Sequence, residues 1–347
     1  MKYRVIQWTT GNVGSRALRA IIEHPEMELV GVYAHGKEKV GKDAAELCGL
    51  DEKTGVIATS DMDEILSLKA DCVNYNTLIP NVEELERFLE SGVNVVGTAA
   101  FIMGKYLAEG ARERLDAAGK RGGASLYGSG FNPGLSNIMG LAGTSMCDRI
   151  YSVSVTESVD VSDYASPETW YKSGWAKPLG EQGQQTFDMN VVLKDAADMT
   201  AEALGIEVEE RRFDLEYAVT KEDLDLPAGK FPKDTVAGQK MTYHCIANGR
   251  SVIQQNIVYK VRGPLEPDWP LEHGYVMDIE GEPSLKIKLQ LRRPGVEGVN
   301  REKTHMDSGM VGTAMPAVNA IPAVCRAEPG VRRVDELPMI TARGLLF

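Results

Sequence analysis

The opening stretch, Tyr3 to Ile22 (YRVIQWTTGNVGSRALRAII), constrains the fold of this chain more than any other. Tyr3 to Trp8 is a short, largely apolar run of strand type. Thr9-Thr10-Gly11-Asn12-Val13-Gly14 is a tight turn, and Leu18, Ile21 and Ile22 follow at helical spacing. Strand, glycine turn and helix form the geometry that holds a diphosphate. Thr10, Gly11, Asn12 and Val13 would line it. Gly11 lets the backbone approach the anion, Gly14 lets the helix pack on its strand, and the unpaired N–H groups of the first helical turn face the ligand. Thr9 stands where the first glycine of G-x-G-x-x-G is expected. The plainer reading is a strand–helix turn of any α/β protein.

The alternation continues. Met27 to Tyr33 reads as a second strand and runs into Ala34-His35-Gly36-Lys37-Glu38-Lys39. No carboxylate sits at the strand end, where an NAD enzyme binds its ribose. His35, Lys37 and Lys39 suit a ribose 2′-phosphate instead, so NADP is expected over NAD. In the NAD alternative Glu38 is the missing acid, displaced into the loop, and the lysines are solubility charges. Gly41 to Leu50 reads as a short helix and Gly55 to Ala58 as a weak third strand. Ala70 to Asn74 is the fourth and leads into Tyr75-Asn76-Thr77. Asn81 to Ser91 is an amphipathic helix, with Val82, Leu85, Phe88 and Leu89 on one side. Gly92 to Gly97 is the fifth strand, followed by Thr98-Ala99-Ala100-Phe101. A helix is expected over Lys105 to Ala118. Gly123 to Tyr127 is the sixth strand, ending in Gly128 to Gly134 with Asn132 inside. Such alternation implies an open, Rossmann-type parallel sheet whose ligand lies beyond the carboxyl ends of the strands. Asn76, Thr77, Thr98, Ala99 and Asn132 thereby join the candidate cofactor residues, although Asn76 and Thr98 could equally satisfy turn backbone.

The pattern changes after Asp148. Ile150 to Val155 alternates into Thr156-Glu157-Ser158-Val159-Asp160, and Phe213 to Val219 is another strand. Asn248-Gly249 between two alternating runs signals a hairpin. Glu280-Gly281 divides a second pair of runs. Phe187 to Leu204 supplies a covering helix. The expected organisation is a dinucleotide domain over 1–148, an α+β domain on a mostly antiparallel sheet over 149–308, and a C-terminal part over 309–347. The open face of that sheet would line the active cleft or pair with a second subunit, and a homodimer is expected. Gly309 to Val324, rich in small residues, reads as a helix returning to the first domain. Asn319 within it is either a buried polar residue or a contact to the cofactor amide. Gly330 to Leu345 reads as a loose tail or a cap on the first domain.

Composition narrows the function. The formal net charge is −12 and no Lys/Arg-rich block occurs, which argues against nucleic acid. No apolar run approaches the roughly 20 residues of a membrane span. The five cysteines are odd in number and widely spaced, without a C-x-x-C pair, as in reduced thiols of a cytoplasmic protein. The five histidines and five cysteines show no metal-ligand spacing, and Gly128-Ser129-Gly130 is no nucleophile elbow. The cofactor pattern points to hydride transfer with a small-molecule substrate, which needs a proton donor. Candidates are Glu157, Asp160, Tyr164 and His305. His244, inside a strand, reads as structural. Ser166-Pro167-Glu168-Thr169 looks like a helix start carrying Trp170, Tyr171 and Trp175, suited to an apolar substrate or to ordinary packing.

Several of these segments, in order, resemble dihydrodipicolinate reductase: Gly11-Asn12-Val13-Gly14, Tyr75-Asn76-Thr77, Gly97-Thr98-Ala99-Ala100-Phe101 and Gly130-Phe131-Asn132-Pro133-Gly134. That family's His-His pair and Ser-Gly-Thr anion site have no counterpart over Glu157 to Trp170. Over nearly its whole length the chain is more similar to the branch containing 2,4-diaminopentanoate dehydrogenase and native amine dehydrogenases. Asn132-Pro133-Gly134, Thr156-Glu157-Ser158 and the helix from Thr313 to Asn319 carry that resemblance. It implies NAD(P)H-dependent reductive amination of ketones, with a catalytic glutamate just after the fifth strand. Ala99 or Ala100 stands there in this chain. The leading expectation is an NAD(P)H-dependent oxidoreductase acting on a C=O or C=N carbon of a small to medium, rather apolar molecule. The alternatives are an amine dehydrogenase using another acid, such as Glu157, and a cofactor-binding protein without turnover.

Overall fold

The computed structural model describes residues 2–98, 102–164, 170–171, 173–181, 189–291 and 305–346. The chain divides into two compact units: Met1–Leu135 with Asp307–Phe347, and Ser136–Met306.

The first unit contains strands β1 (Tyr3–Trp8), β2 (Met27–Tyr33), β3 (Ala58–Thr59), β4 (Cys72–Tyr75), β5 (Asn94–Gly97) and β6 (Ser125–Gly128). Helices α1 (Asn12–Glu23), α2 (Ala44–Cys48), α3 (Met62–Ser67), α4 (Val82–Glu90) and α5 (Ala111–Gly122) alternate with them. Two late elements complete it, α8 (His305–Val324) and β16 (Gly330–Arg332). The strand order is β16-β6-β5-β4-β1-β2-β3, and every pairing is parallel. Parallel strands are covered on both faces, and β1 and β4 accordingly bury Val5, Ile6, Trp8, Cys72, Val73 and Tyr75. On one face Ile65, Leu85, Phe88 and Leu115 pack on Ile6, Trp8, Val73 and Tyr75. On the other, Ala17 and Ile21 of α1 and Ala314, Ala317, Ala320 and Ile321 of α8 pack on Val5, Cys72, Val96 and Tyr127. The alanine row of α8 brings its backbone close to the sheet. The segment read as a tail or cap supplies an edge strand, with Val331 opposite Leu126.

The helix expected from Lys105 begins only at Ala111. Gly104 and Gly110 are left-handed (φ +75° and +66°), which interrupts a helix, and Gly123 at φ +73° ends it. Ahead of α2, Asp43 holds a loop together. Its carboxylate accepts from the N–H groups of Ala45, Thr54 and Gly55 and from the Thr54 hydroxyl. Burial alone would raise this carboxyl, yet those bonds take it down to about 2. A depressed acid contributes stability above its unfolded pKa, about 3.9, and loses it as pH falls through the folded value. Asp43→Ala is expected to cost about 1–2 kcal/mol at pH 7. The gap from wild type should close between about pH 4 and pH 2, as read from urea melts across that range.

The second unit contains β7 (Arg149–Asp160), β8 (Glu210–Thr220), β9 (Leu224–Leu226), β10 (Gly229–Phe231), β11 (Val236–Ala247), β12 (Arg250–Lys260), β13 (Leu265–Glu266), β14 (Gly274–Glu282) and β15 (Leu285–Leu289). The large sheet runs β13-β8-β11-β12-β7-β14-β15, and β9 pairs β10 apart from it. Only the β12–β7 pairing in the large sheet is parallel. Asn248 and Gly249 (φ +52° and +66°) make the expected two-residue turn, with Ala247 opposite Arg250. Glu280-Gly281 is not a turn. It lies within β14 at a bulge against β7, and the chain reverses between Glu282 and Leu285. Helices α6 (Ser136–Thr144) and α7 (Met189–Ala203) belong to this unit. Leu193, Ala197 and Ala201 of α7 cover Val153, Ile253, Tyr243 and Ile279. A Cβ on Gly143 of α6 would lie 2.7 Å from the Ile279 side chain. That close approach binds α6 to the sheet. The boundary therefore falls at Leu135/Ser136, ahead of the compositional change at Asp148.

Candidate active site

In the first unit the polar strand ends form one hydrogen-bonded group. Thr9 takes the left-handed conformation (φ +69°) that the absent glycine would adopt, at a cost of about 1–2 kcal/mol. Its surroundings enforce it. Thr9 N–H donates to Tyr33 O (2.9 Å), Gln7 Nε2 to Thr9 O (2.8 Å), and Thr9 Oγ1 to Asn76 O (3.0 Å). Gln7 Nε2 and Asn74 Nδ2 both reach Asn76 Oδ1 (2.7 and 2.9 Å), and Asn76 Nδ2 donates to Thr98 Oγ1 (2.7 Å). Asn76 and Thr98 are thus brought together with the glycine turn. Gln7 and Asn74, fully buried, do the bracing. Sequence reasoning passed over both; the signal was an uncharged polar residue in the interior of each of two central strands.

The turn itself fits a diphosphate. Gly11 caps α1 without a side-chain hydrogen bond, and the first turn of α1 has no acid. The space where a Cβ of Gly11 would sit is open, whereas a Cβ on Gly14 would lie 2.5 Å from Thr9 O. Asn12 is exposed and Val13 half-buried. Thr10 Oγ1 and, on α8, Asn319 Oδ1 are buried without a hydrogen-bond partner among the described residues. Thr77 Oγ1 and Ser129 Oγ, at neighbouring strand ends, are buried without a partner among the described residues as well, and a ligand or ordered water would satisfy all four. His35 and Lys37 are exposed beyond β2, with the His35 ring edge-on to Tyr33. Lys39 is drawn back, its Nζ donating to Thr10 O at 2.8 Å. The Glu38 carboxylate folds over Gly36. Thr77 and Asn132 are half-buried at the ends of β4 and β6. Ala99 and Ala100 lie outside the described residues.

In the second unit Glu157 is buried (8 % exposed) near the end of β7, directly opposite Tyr275 of β14. The Tyr275 hydroxyl donates to Glu157 Oε1 at 3.3 Å. The Tyr259 phenol of β12 also meets this carboxylate. Burial, then the neighbouring Glu157, pushes both phenols well above the ordinary tyrosine value. Both phenols therefore stay protonated. Tyr164 is half-buried, its ring edge-on to Trp170 at 5.1 Å, and its carbonyl accepts from Trp170 Nε1 at 3.2 Å. Trp170, Tyr171, Ala228 and Phe231 line a cavity of about 300 Å³. Asp160 is used in a turn, where its Oδ1 accepts from Ser162 N–H at 2.9 Å. His244 lies between Ser251 Oγ (2.8 Å) and Asp214 (3.1 Å) in the sheet. The His305 side chain and the proposed helix start at Ser166 to Thr169 lie outside the described residues. Among those described, no cluster of three potential metal ligands occurs, and no helix is long and apolar enough to cross a membrane.

Residues 5–110 match the dihydrodipicolinate reductase N-terminus, and residues 181–344 match the 2,4-diaminopentanoate dehydrogenase C-terminal domain. The chain is 29 % identical to an amine dehydrogenase of Streptomyces virginiae, over 98 % of both proteins. It is 24 % identical to the 2,4-diaminopentanoate dehydrogenase of Acetoanaerobium sticklandii, over 97 % of this chain and 94 % of that one. In fold it resembles the amine dehydrogenase from Mycobacterium smegmatis, with a TM-score of 0.77 at 21 % identity, covering 99 % of this chain and 98 % of the other. With the glycine turn and the two sheets already in place, these similarities identify the chain as an NAD(P)-dependent oxidoreductase of dihydrodipicolinate reductase-like architecture, similar over nearly its whole length to an amine dehydrogenase and to 2,4-diaminopentanoate dehydrogenase.

Proposed function

We propose that this oxidoreductase interconverts a ketone plus ammonia with the corresponding amine, NADP(H) being the redox partner. Ketone and ammonia lose water to give an imine. The imine carbon gains a hydride and its nitrogen a proton. The cofactor, when bound, supplies or accepts the hydride. Thr10 to Gly14 would hold its diphosphate, with Asn76, Thr77, Thr98, Asn132 and Asn319 toward its inner half. Glu157 is the residue we assign to the proton on nitrogen. The observation that carries the reading is this buried carboxylate with two phenols turned onto it, in a chain whose full-length relatives include amine dehydrogenases. Initial rates of NADPH oxidation with a panel of ketones test it. Oxidation should require ammonia and be negligible without it. Equal rates with and without ammonia would favour the second reading, carbonyl reduction, which the alanines at the place of the family's acid motivate.

NADP over NAD rests on exposed His35 and Lys37 and on the lack of an acid at the end of β2. Lys37→Glu is expected to weaken NADPH binding about tenfold, or about 1.4 kcal/mol, and to leave NADH within twofold, as read by fluorescence titration. Equal loss for both cofactors would contradict the preference. We further assign a homodimer to the polar open face of the second unit's sheet, where Asn256 Nδ2 bonds Thr156 Oγ1 at 3.1 Å. Light scattering should give twice the chain mass of 37.9 kDa, and a monomer mass would sink the assignment.

A further inference from the structure

The first unit holds two thiols side by side, away from the polar strand ends. Cys72 is the first residue of β4 and is fully buried. Cys325 directly follows α8 and is half-buried. It packs against the apolar cluster that contains Cys72. Its Sγ donates to the carbonyl of Asp71, the residue before Cys72, at 3.7 Å. We infer that Cys72 and Cys325 are a redox modification site, at which a hydroperoxide forms an intramolecular disulfide that fastens the end of α8 to the parallel sheet.

The two thiols have different parts. Burial, then the adjoining Cys325 thiol, pushes Cys72 well above the ordinary thiol value. Cys72 therefore stays protonated and out of reach of solvent. Cys325 is the one that an oxidant meets first. Its sulfur attacks one oxygen of hydrogen peroxide and the O–O bond breaks. The thiol proton leaves with the departing oxygen, giving water and a sulfenic acid. The Cys72 sulfur then attacks the Cys325 sulfur. The S–S bond forms, the S–O bond breaks, and the Cys72 proton leaves with the hydroxyl as a second water. The two thiols lose two electrons and the peroxide gains them. The other three thiols are turned elsewhere: Cys48 to Ala45 O, Cys147 to Pro283 O and Cys245 to the Asp198 carboxylate. A bond between residues 72 and 325 closes a long loop, which restricts the unfolded chain most and so stabilises the folded one. Cys72 and the proposed cofactor residues Asn76 and Thr77 lie at opposite ends of β4, so the bond should leave cofactor binding alone.

Full-length protein treated with a small excess of hydrogen peroxide, quenched with catalase and alkylated tests this by peptide mapping without reductant. The wild type should yield a linked Cys72–Cys325 peptide pair. Thiols titrated in denaturant should fall from five by the two consumed. The melting temperature should rise by about 5 °C or more and return when dithiothreitol is added. NADPH affinity should stay within about twofold of the reduced protein. Cys325→Ser should melt within about 2 °C of the reduced wild type and show neither the link nor the rise. Sulfinic or sulfonic acid on Cys325 beside an alkylated Cys72 would overturn the pair. So would a link from either residue to Cys48, Cys147 or Cys245. A linked protein that melts no higher than the reduced one would overturn the fastening of α8.

Discussion

Glu157→Gln is expected to lower ammonia-dependent turnover about 10²- to 10⁴-fold, the range associated with loss of a positioned acid or base. The change keeps shape and removes both the charge and the ability to exchange a proton at the pH of the reaction. Tyr275 can still donate to the amide oxygen, so the packing between β7 and β14 is retained. A melting temperature within a few degrees of wild type, beside a loss of that size in kcat, would separate chemistry from folding. Cofactor affinity should be unaffected, because the proposed diphosphate turn belongs to the other unit. A Glu157→Gln enzyme with more than a third of wild-type kcat would remove Glu157 from the proposed mechanism and return the proton to Tyr164 or His305.

Gly14→Val is the second large effect. Its Cβ would fall 2.5 Å from Thr9 O and 3.3 Å from Gln7 Nε2. Neither neighbour can yield cheaply. Thr9 already holds a left-handed backbone, and Gln7 is committed to Thr9 O and Asn76. The helix must move away from β1, which is expected to cost about 1–3 kcal/mol of stability and at least a hundredfold in NADPH affinity. Gly11→Ala supplies the contrast. The space at its Cβ is open in the protein alone, so stability should change little while affinity falls. If Gly11→Ala and Gly14→Val both spared NADPH binding, the turn would not be the diphosphate site.

The sequence showed the first unit clearly because a parallel sheet writes itself as apolar runs, each followed by a polar or glycine-rich end. Thr9 was visible as a departure from the glycine pattern. That it adopts the glycine conformation, braced by Gln7 and Asn76, depends on side chains from two strands meeting, which no local pattern records. β16 escaped notice because three residues at a sheet edge leave no periodicity to read. The Asn248-Gly249 hairpin was legible from its turn chemistry. Glu280-Gly281 has similar composition, yet cross-strand pairing with β7 absorbs it as a bulge. At the second candidate site Glu157 stood out as an acid near a strand end. Tyr259 and Tyr275 did not, since tyrosines in strands are usually core or interface residues, and only the register brings them to one carboxylate. Asp160, equally conspicuous in sequence, is occupied in capping a turn.

Transfer of deuterium from NADPH labelled at C4 of the nicotinamide, with a ketone and ammonia present and mass spectrometry of the product, tests the central claim most directly. The account predicts one deuterium on the carbon bearing the new amino group, and no labelled product when ammonia is omitted. Deuterium recovered instead on the carbinol carbon of an alcohol, at the same rate with or without ammonia, would contradict it.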